Sequence, residues 1–253
     1  MKHIVYIGVD DTDILGEPPG TGRVARELAE HLESLGLGKS LGVSRHQLLV
    51  DPRIPYTSHN SSLCIGMETN RDAAAFEAPC TEYVLAHAKP GSDPGLCICA
   101  GDSVVDDAVK FGLRATSEVL LKQEAVELAA QSGIFLKELG GTGGGVIGAL
   151  AGAALRAEGN HGRFVELRGI RQIDGRVTAA ELKQTTAIEM VLDMSGNAVA
   201  DTESIESYGW IRPSLWRGKA VLRVQPLAGI VPPLWEPVEN RKDKPKKKQE
   251  ANT

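Results

Sequence analysis

Asp10-Asp11-Thr12-Asp13 puts three carboxylates within four positions, directly after the apolar run from His3 to Val9 (HIVYIGV). Acids this close repel one another unless something positive lies among them. Oxygen-only ligands suit Mg²⁺, a hard cation that keeps several waters and leans on one or two carboxylates plus substrate phosphates. Asp10, Asp11 and Asp13 are therefore candidate metal ligands. Asp11 is also a candidate catalytic group, and Thr12 a candidate phosphate contact. An acidic loop that only caps a helix is the structural alternative. A second candidate is Gly140-Gly141-Thr142-Gly143-Gly144-Gly145, set between an expected strand (134–139) and an expected helix (146–156). Glycines there let backbone N–H groups approach a phosphate, and a helix N-terminus favours the anion. Thr142 adds a hydroxyl. The run is not a Walker A loop, because Val146-Ile147 stand where Lys-Ser/Thr is required. Glycines in such a place also permit close helix packing.

Three other segments carry chemistry-bearing residues. Tyr56-Thr57-Ser58-His59-Asn60-Ser61 is a polar run behind Pro52 and Pro55; His59 and Asn60 are candidate phosphate or nucleoside contacts, and an exposed surface loop is the alternative. Gly209 to Arg217 (GWIRPSLWR) interleaves Trp210 and Trp216 with Arg212 and Arg217. Such rings stack on bases, or they are core tryptophans flanked by solvated arginines. Gly101-Asp102-Ser103-Val104-Val105-Asp106-Asp107 follows an expected buried strand, where a helix N-cap with first-turn acids accounts for Asp102 and Asp106. Together with the spacing of Asp11 and Asp13, that segment resembles the first and fourth motifs of the haloacid-dehalogenase phosphatases. The resemblance implies Asp11 as nucleophile, Asp13 as acid/base, and Asp102 and Asp106 as metal ligands. Leu15 and the lack of a core Lys between the motifs depart from that pattern.

The elements that must position these residues follow from periodicity and punctuation. A strand over 3–9 leads through the acidic loop and Pro18-Pro19-Gly20 to a helix carrying Val24, Leu28, Leu32 and Leu35 on one face. Thr21 is its expected N-cap and Gly36 its end. Strands are expected at 63–67 and 96–100, and a helix over 122–132 stopped by Gly133. Residues 77–94 read as partly irregular. This strand–loop–helix opening puts the acids at the C-terminal end of a parallel strand, where α/β sheets bind ligands. From about residue 163 short alternating segments and turn signals such as Asp174-Gly175 take over. The expected organisation is an α/β domain over 1–162, a smaller β-rich module over 163–238, and a basic tail over 239–253. Arg241 to Lys248 holds no apolar residue, so the tail is expected to be disordered and either simply solvated or a weak nucleic-acid contact.

Bulk properties limit the function classes. A net charge of -5 excludes a general polyanion binder, and 28 glycines with 4% aromatics fit an aliphatic-cored α/β enzyme. Cys64, Cys80, Cys97 and Cys99 contain no CxxC pair, so no zinc ribbon is encoded and small buried hydrophobes are expected. No run of apolar residues is long enough to span a membrane, and a cytoplasmic location is expected.

Ile7-Gly8-Val9-Asp10-Asp11-Thr12-Asp13, Thr21, Pro52 to Asn60 with Ile54-Pro55-Tyr56, and Gly144 to Ala151 (GGVIGALA) occur in one order along the chain. In that order they resemble the archaeal isoleucine-tRNA agmatinylcytidine synthetase family and its shorter bacterial relatives. The resemblance implies a kinase-like α/β domain that binds ATP and Mg²⁺, with the aspartate loop at the metal and a ferredoxin-like domain following. It implies that Thr21 takes a phosphoryl group. On the reading of the residues themselves, Thr12, His59 and Asn60 are expected to contact nucleotide or phosphate, and Gly141, Thr142, Gly143, Gly144 and Gly145 to cradle a phosphate. A family Arg-Gly-Asn segment is represented by His59-Asn60, and Gly22 stands where the family has a second threonine. No counterpart of the family's OB and zinc-ribbon domains is expected within these 253 residues. tRNA agmatinylation by this chain alone is not expected; what carries over is ATP- and Mg²⁺-dependent phosphoryl transfer related to tRNA modification, with the acceptor, a small molecule or RNA, left open and no membrane partner expected. A haloacid-dehalogenase-type phosphatase and a non-catalytic RNA-binding accessory protein are the alternatives.

Overall fold

The computed structural model describes residues 1–55, 59–101, 104–227, 229 and 233–238. Strand β1 (His3–Asp10) alternates as a pleated strand must: Val5, Ile7 and Val9 are fully buried on one face, while Tyr6, Gly8 and Asp10 point to the other. It is flanked by β3 (Ser61–Thr69) and β4 (Gly95–Ala100), both antiparallel to it. Outward from β3 lie β2 (Lys39–Gln47), β6 (Arg163–Glu166) and β10 (Ser214–Trp216); outward from β4 lies β5 (Phe135–Glu138). Every pairing in this seven-strand order is antiparallel.

The acidic loop therefore does not end a parallel strand, contrary to expectation. Helix α1 (Thr21–Ser34) does carry the chain from β1 to a strand of the same direction, β2, but β3 inserts between the two. The crossover is real, and its strands are not neighbours. The chain is a mixed α/β fold built on an antiparallel sheet.

Helices cover both faces of this sheet. Helix α1, the 3₁₀ turn Ala73–Phe76 and α2 (Glu77–His87) bury Leu28, Leu32, Phe76 and Val84 against Val5, Ile7, Ile65 and Leu96. On the other face α3 (Asp106–Ala115), α4 (Lys122–Ser132) and α5 (Gly145–Glu158) pack on Cys64, Cys97 and Cys99. Residues 77–87 are a regular helix rather than an irregular segment. Pro79 is tolerated because it sits in the first turn, where no helical N–H bond is lost. All four cysteines are buried and unpaired, as expected of small hydrophobes.

Helix α5 lies directly on the sheet backbone. A methyl group added at Gly8 would stand 2.0 Å from the Ala149 carbonyl oxygen, and one added at Gly145 would stand 2.1 Å from the carbonyl of Asp93. The small-residue face of α5 thus brings its N-terminus against the start of β4.

The first compact unit comprises 1–167 and 214–219, and the second 168–213 with the residues from 220 onward. Strand β6, expected with the C-terminal module, is instead hydrogen-bonded to β2 in the first unit. The second unit is β-rich. Strand β9 (Ser204–Glu206) pairs antiparallel with β7 (Arg176–Thr178) and parallel with β12 (Trp235–Pro237). Strand β11 (Lys219–Pro226) pairs antiparallel with β12 and parallel with β8 (Met190–Leu192). Its helix α6 (Ala179–Thr185) opens on a capping box: Thr178 Oγ1 accepts the Glu181 N–H at 3.2 Å, and Glu181 accepts the Thr178 N–H at 2.7 Å. No described helix is long and apolar enough to cross a membrane.

Candidate functional site

Register decides which loops meet. Across β1–β4 Asp10 faces Gly95, across β1–β3 Val9 faces Leu63, across β2–β3 Gln47 faces Ser61, and across β4–β5 Gly95 faces Glu138. Loops 11–20, 88–94 and 139–144, with the described residues 48–55 and 59–60, consequently leave the same end of one sheet. The acidic loop and the glycine loop, far apart in sequence, share that end.

Asp11 turns the chain out of β1 with a φ of 51, a left-handed conformation that Asp and Asn enter more readily than most residues. Thr12 behind it is fully buried. The Thr12 N–H and Thr12 hydroxyl donate to Thr21 Oγ1 at 3.2 and 3.1 Å, and Thr21 in turn donates to Asp13 Oδ1 at 3.3 Å. Thr21 is thus not the N-cap of α1. Gly20 holds that position, and Thr21 is the first helical residue with its hydroxyl turned to the acidic loop. A hydroxyl so engaged cannot also cap its helix. The arrangement leaves one buried alcohol oxygen donating to a carboxylate, as an alcohol nucleophile with an adjacent proton acceptor requires.

The Asp10 carboxylate lies against α5. A methyl group at Gly148 would stand 1.6 Å from Asp10 Oδ2, so only glycine leaves it room. Burial lifts the Asp10 proton affinity well above the ordinary carboxylate range, and the charges of Asp11 and Asp13 add to this while a backbone hydrogen bond from Asp11 opposes it. Asp11 is raised to about 6, by burial first and then by the charges of Asp93 and Asp13. Among the described residues no three His, Cys, Asp or Glu side chains are grouped to hold a metal ion. The donors are nevertheless oxygen-only carboxylates, and the charge of Asp13 raises the proton affinity of both Asp10 and Asp11, which is the chemistry a hard divalent cation relieves.

Asp93 is a residue that sequence reasoning missed. Its carboxylate accepts both the N–H and the hydroxyl of Thr142. The signal for it is the register alone: Asp93 lies just beyond Gly95, the partner of Asp10. Gly141 and Gly143 take left-handed φ values of 57 and 77, and a side chain at 141 would collide with Asp93 Oδ1. Lys122, also missed, donates from Nζ to the Thr142 carbonyl at 2.9 Å and to Glu138 Oε2 at 3.1 Å. It brings a positive charge to the glycine loop.

Of the other expected residues, Asn60 and His59 stay at the sheet end of the acidic loop and the second acidic segment does not. Asn60 uses its amide to close the loop between β2 and β3, with Nδ2 donating to the Leu49 carbonyl at 2.6 Å. His59 is exposed at the same sheet end. Tyr56, Thr57, Ser58, Asp102 and the tail lie outside the described residues. Strand β4 ends at Ala100 opposite Val5, at the far end of β1. Asp106, exposed at the start of α3, follows from that far end. The haloacid-dehalogenase resemblance needs Asp11 and Asp106 at one end of a parallel sheet, and the antiparallel register sends these two to opposite ends. Trp216 is exposed, and the Arg217 guanidinium lies 5.0 Å from its ring centroid.

No protein-family model matches the chain, and no curated protein matches it. Solved structures do. The complex of TiaS with its tRNA and ATP matches at 28% identity and a TM-score of 0.53, over 60% of this chain and 36% of that one. Apo TiaS, a tRNA agmatidine synthetase, matches at 26% identity and a TM-score of 0.51, over 60% of this chain and 35% of that one. TiaS with its tRNA, AMPCPP and agmatine matches at 27% identity and a TM-score of 0.51, over 60% of this chain and 36% of that one. The chain spans about a third of the length of these solved structures. It shares their fold over the matched part.

Proposed function

We propose that this chain is an ATP- and Mg²⁺-dependent phosphoryl-transfer enzyme of tRNA modification, related to tRNA agmatidine synthetase and acting on a small-molecule or RNA acceptor. One observation carries this most: the acidic loop, Thr21 and the glycine loop leave the same sheet end, in a fold shared with a synthetase solved with ATP. Asp10, Asp11 and Asp13 are the residues that would hold Mg²⁺, which neutralises charge developing on phosphate oxygens during transfer. The backbone of Gly141 to Gly145 would offer donors to a phosphate at the start of α5, joined by Thr142 once its N–H and hydroxyl leave Asp93. Thr21 is the candidate phosphoacceptor or phosphate ligand. Its hydroxyl donates to Asp13, so Asp13 is the group positioned to take that proton. Thr12 orients Thr21 through two hydrogen bonds. His59 and Asn60 remain candidates for nucleotide contact from the loop between β2 and β3.

A thermal-shift titration tests this, because a ligand that binds only the native state raises the melting temperature by mass action. ATP with Mg²⁺ is expected to stabilise the protein, and ATP with EDTA to do so much less. Equal shifts with and without the metal would remove the metal assignment, and no shift in either would remove the nucleotide.

A further inference from the structure

Thr142 is the only residue with a side chain in the run from Gly140 to Gly145, and two of its donors are already taken. The Thr142 N–H points at Asp93 Oδ1 and its hydroxyl at Asp93 Oδ2. Two oxygens of one anion held by a loop N–H and a neighbouring hydroxyl is the pattern a phosphate asks of such a loop. The surrounding backbone is shaped around the same carboxylate. A side chain at Gly141 would collide with Asp93 Oδ1, and a methyl at Gly144 would lie 3.5 Å from Asp93 Oδ2.

The carboxylate is delivered by a fixed stretch of backbone. The Lys89 N–H donates to the Thr12 carbonyl at 2.9 Å, and the Ser92 N–H and hydroxyl donate to the Lys89 carbonyl at 3.0 and 2.7 Å. The Asp93 carbonyl packs on Gly145 at the start of α5. This delivery sets Asp93 near Asp11, a like charge that raises the Asp11 proton affinity. The acidic loop thus offers Asp93 repulsion, and the glycine loop offers it donors.

We propose that Asp93 is an internal anion occupying the two Thr142 donors of the glycine loop, and that it sets the affinity of the loop for a phosphate-bearing ligand, which must displace it. The inference rests on the phosphate-binding role given to this loop above. It adds that the loop is self-blocked, and that its affinity for an added anion is lower than its donors alone would allow.

Asp93→Asn in the full chain is the test, with inorganic tripolyphosphate in EDTA as the probe and isothermal titration as the readout. Asparagine keeps the size and one acceptor oxygen, but it removes the charge that both holds Thr142 and repels an incoming anion. Charge-assisted hydrogen bonds are roughly twice as strong as neutral ones, so tripolyphosphate is expected to bind about tenfold more tightly to the variant. Unchanged or weaker binding in a folded variant overturns the inference, because a residue that only braces the loop predicts that result. Asp93→Ser, shorter and uncharged, gives the same comparison if the asparagine variant fails to fold. Should both fail, the Thr142 amide resonance of the wild-type protein decides: it shifts on titration with tripolyphosphate if Asp93 is displaced, and an unmoved resonance at saturation overturns the proposal. ATP with Mg²⁺ forms a separate arm. A protein that binds tripolyphosphate but not ATP loses the nucleotide assignment and keeps this one, whereas no tripolyphosphate binding by wild type or variant ends it whatever ATP does.

Discussion

Asp11→Asn is expected to stabilise the metal-free protein at neutral pH. The Asp11 carboxyl is raised from 3.8 to about 6, and a tenfold change in proton affinity corresponds to about 1.36 kcal/mol. That sets a ceiling of about 3 kcal/mol on the cost of holding the charge. Asp11 is partly open to water, and solvent screening reduces the figure to about 1 kcal/mol. The sign follows from proton linkage. The folded protein binds this proton more tightly than the unfolded chain, so the favourable contribution is full below the unfolded value near 4, is lost as pH rises through about 6, and stays lost above. Asparagine carries no charge and lacks that loss. It also accepts the left-handed φ of 51 at this position. For a chain of this size 1 kcal/mol corresponds to about 2–4 °C. Thermal melts of both proteins in EDTA from pH 4 to pH 8 are the assay. The variant should melt higher by that amount at pH 7.5, and the gap should close towards pH 4. A variant that melts no higher at pH 7.5, or a gap that does not narrow on acidification, refutes the reasoning and favours a structural role for the carboxylate.

Three further outcomes are expected. Gly8→Ala should cost about 1–3 kcal/mol or more in denaturant unfolding, since its methyl would meet the Ala149 carbonyl oxygen at 2.0 Å and both partners are backbone; an unchanged midpoint would show that α5 does not sit on β1 as described. Thr21→Val should lose about 1–2 kcal/mol of stability with its hydrogen bonds to Thr12 and Asp13, and it should lose phosphoryl transfer, while Thr21→Ser keeps part of both. The four buried thiols should resist a thiol reagent in the native protein and react fully in guanidinium; rapid labelling of the native protein would contradict their burial.

Much of the first unit was legible because its elements are locally consistent. The β-branched run of β1 and the stop at Gly133, left-handed at a φ of 65, need no tertiary information. Strand β2 was missed because the face opposite the buried Val43 is polar: Ser44 and His46 are fully buried there and hydrogen-bonded to each other at 2.7 Å. Helix α2 was obscured by Pro79 and by a poor separation of apolar from polar residues around its axis. Strand direction was misread because the insertion of β3 between β1 and β2 leaves no mark in either strand. The acidic loop and the glycine loop were legible as motifs, since dense charge and dense glycine are rare without a reason. Their meeting was not, and neither was Asp93, because both depend on the register of β4 between β1 and β5.

The most direct test of the central claim follows the γ-phosphate. Wild-type protein incubated with ATP labelled at the γ position and Mg²⁺ should move the label, onto Thr21 or into released phosphate. EDTA should stop the transfer, and Asp11→Asn should slow it by roughly a thousand-fold, the scale on which lost electrostatic stabilisation of a transition state is felt. Bound ATP that keeps its γ-phosphate in the wild-type protein, or near-normal transfer by Asp11→Asn, would contradict the account.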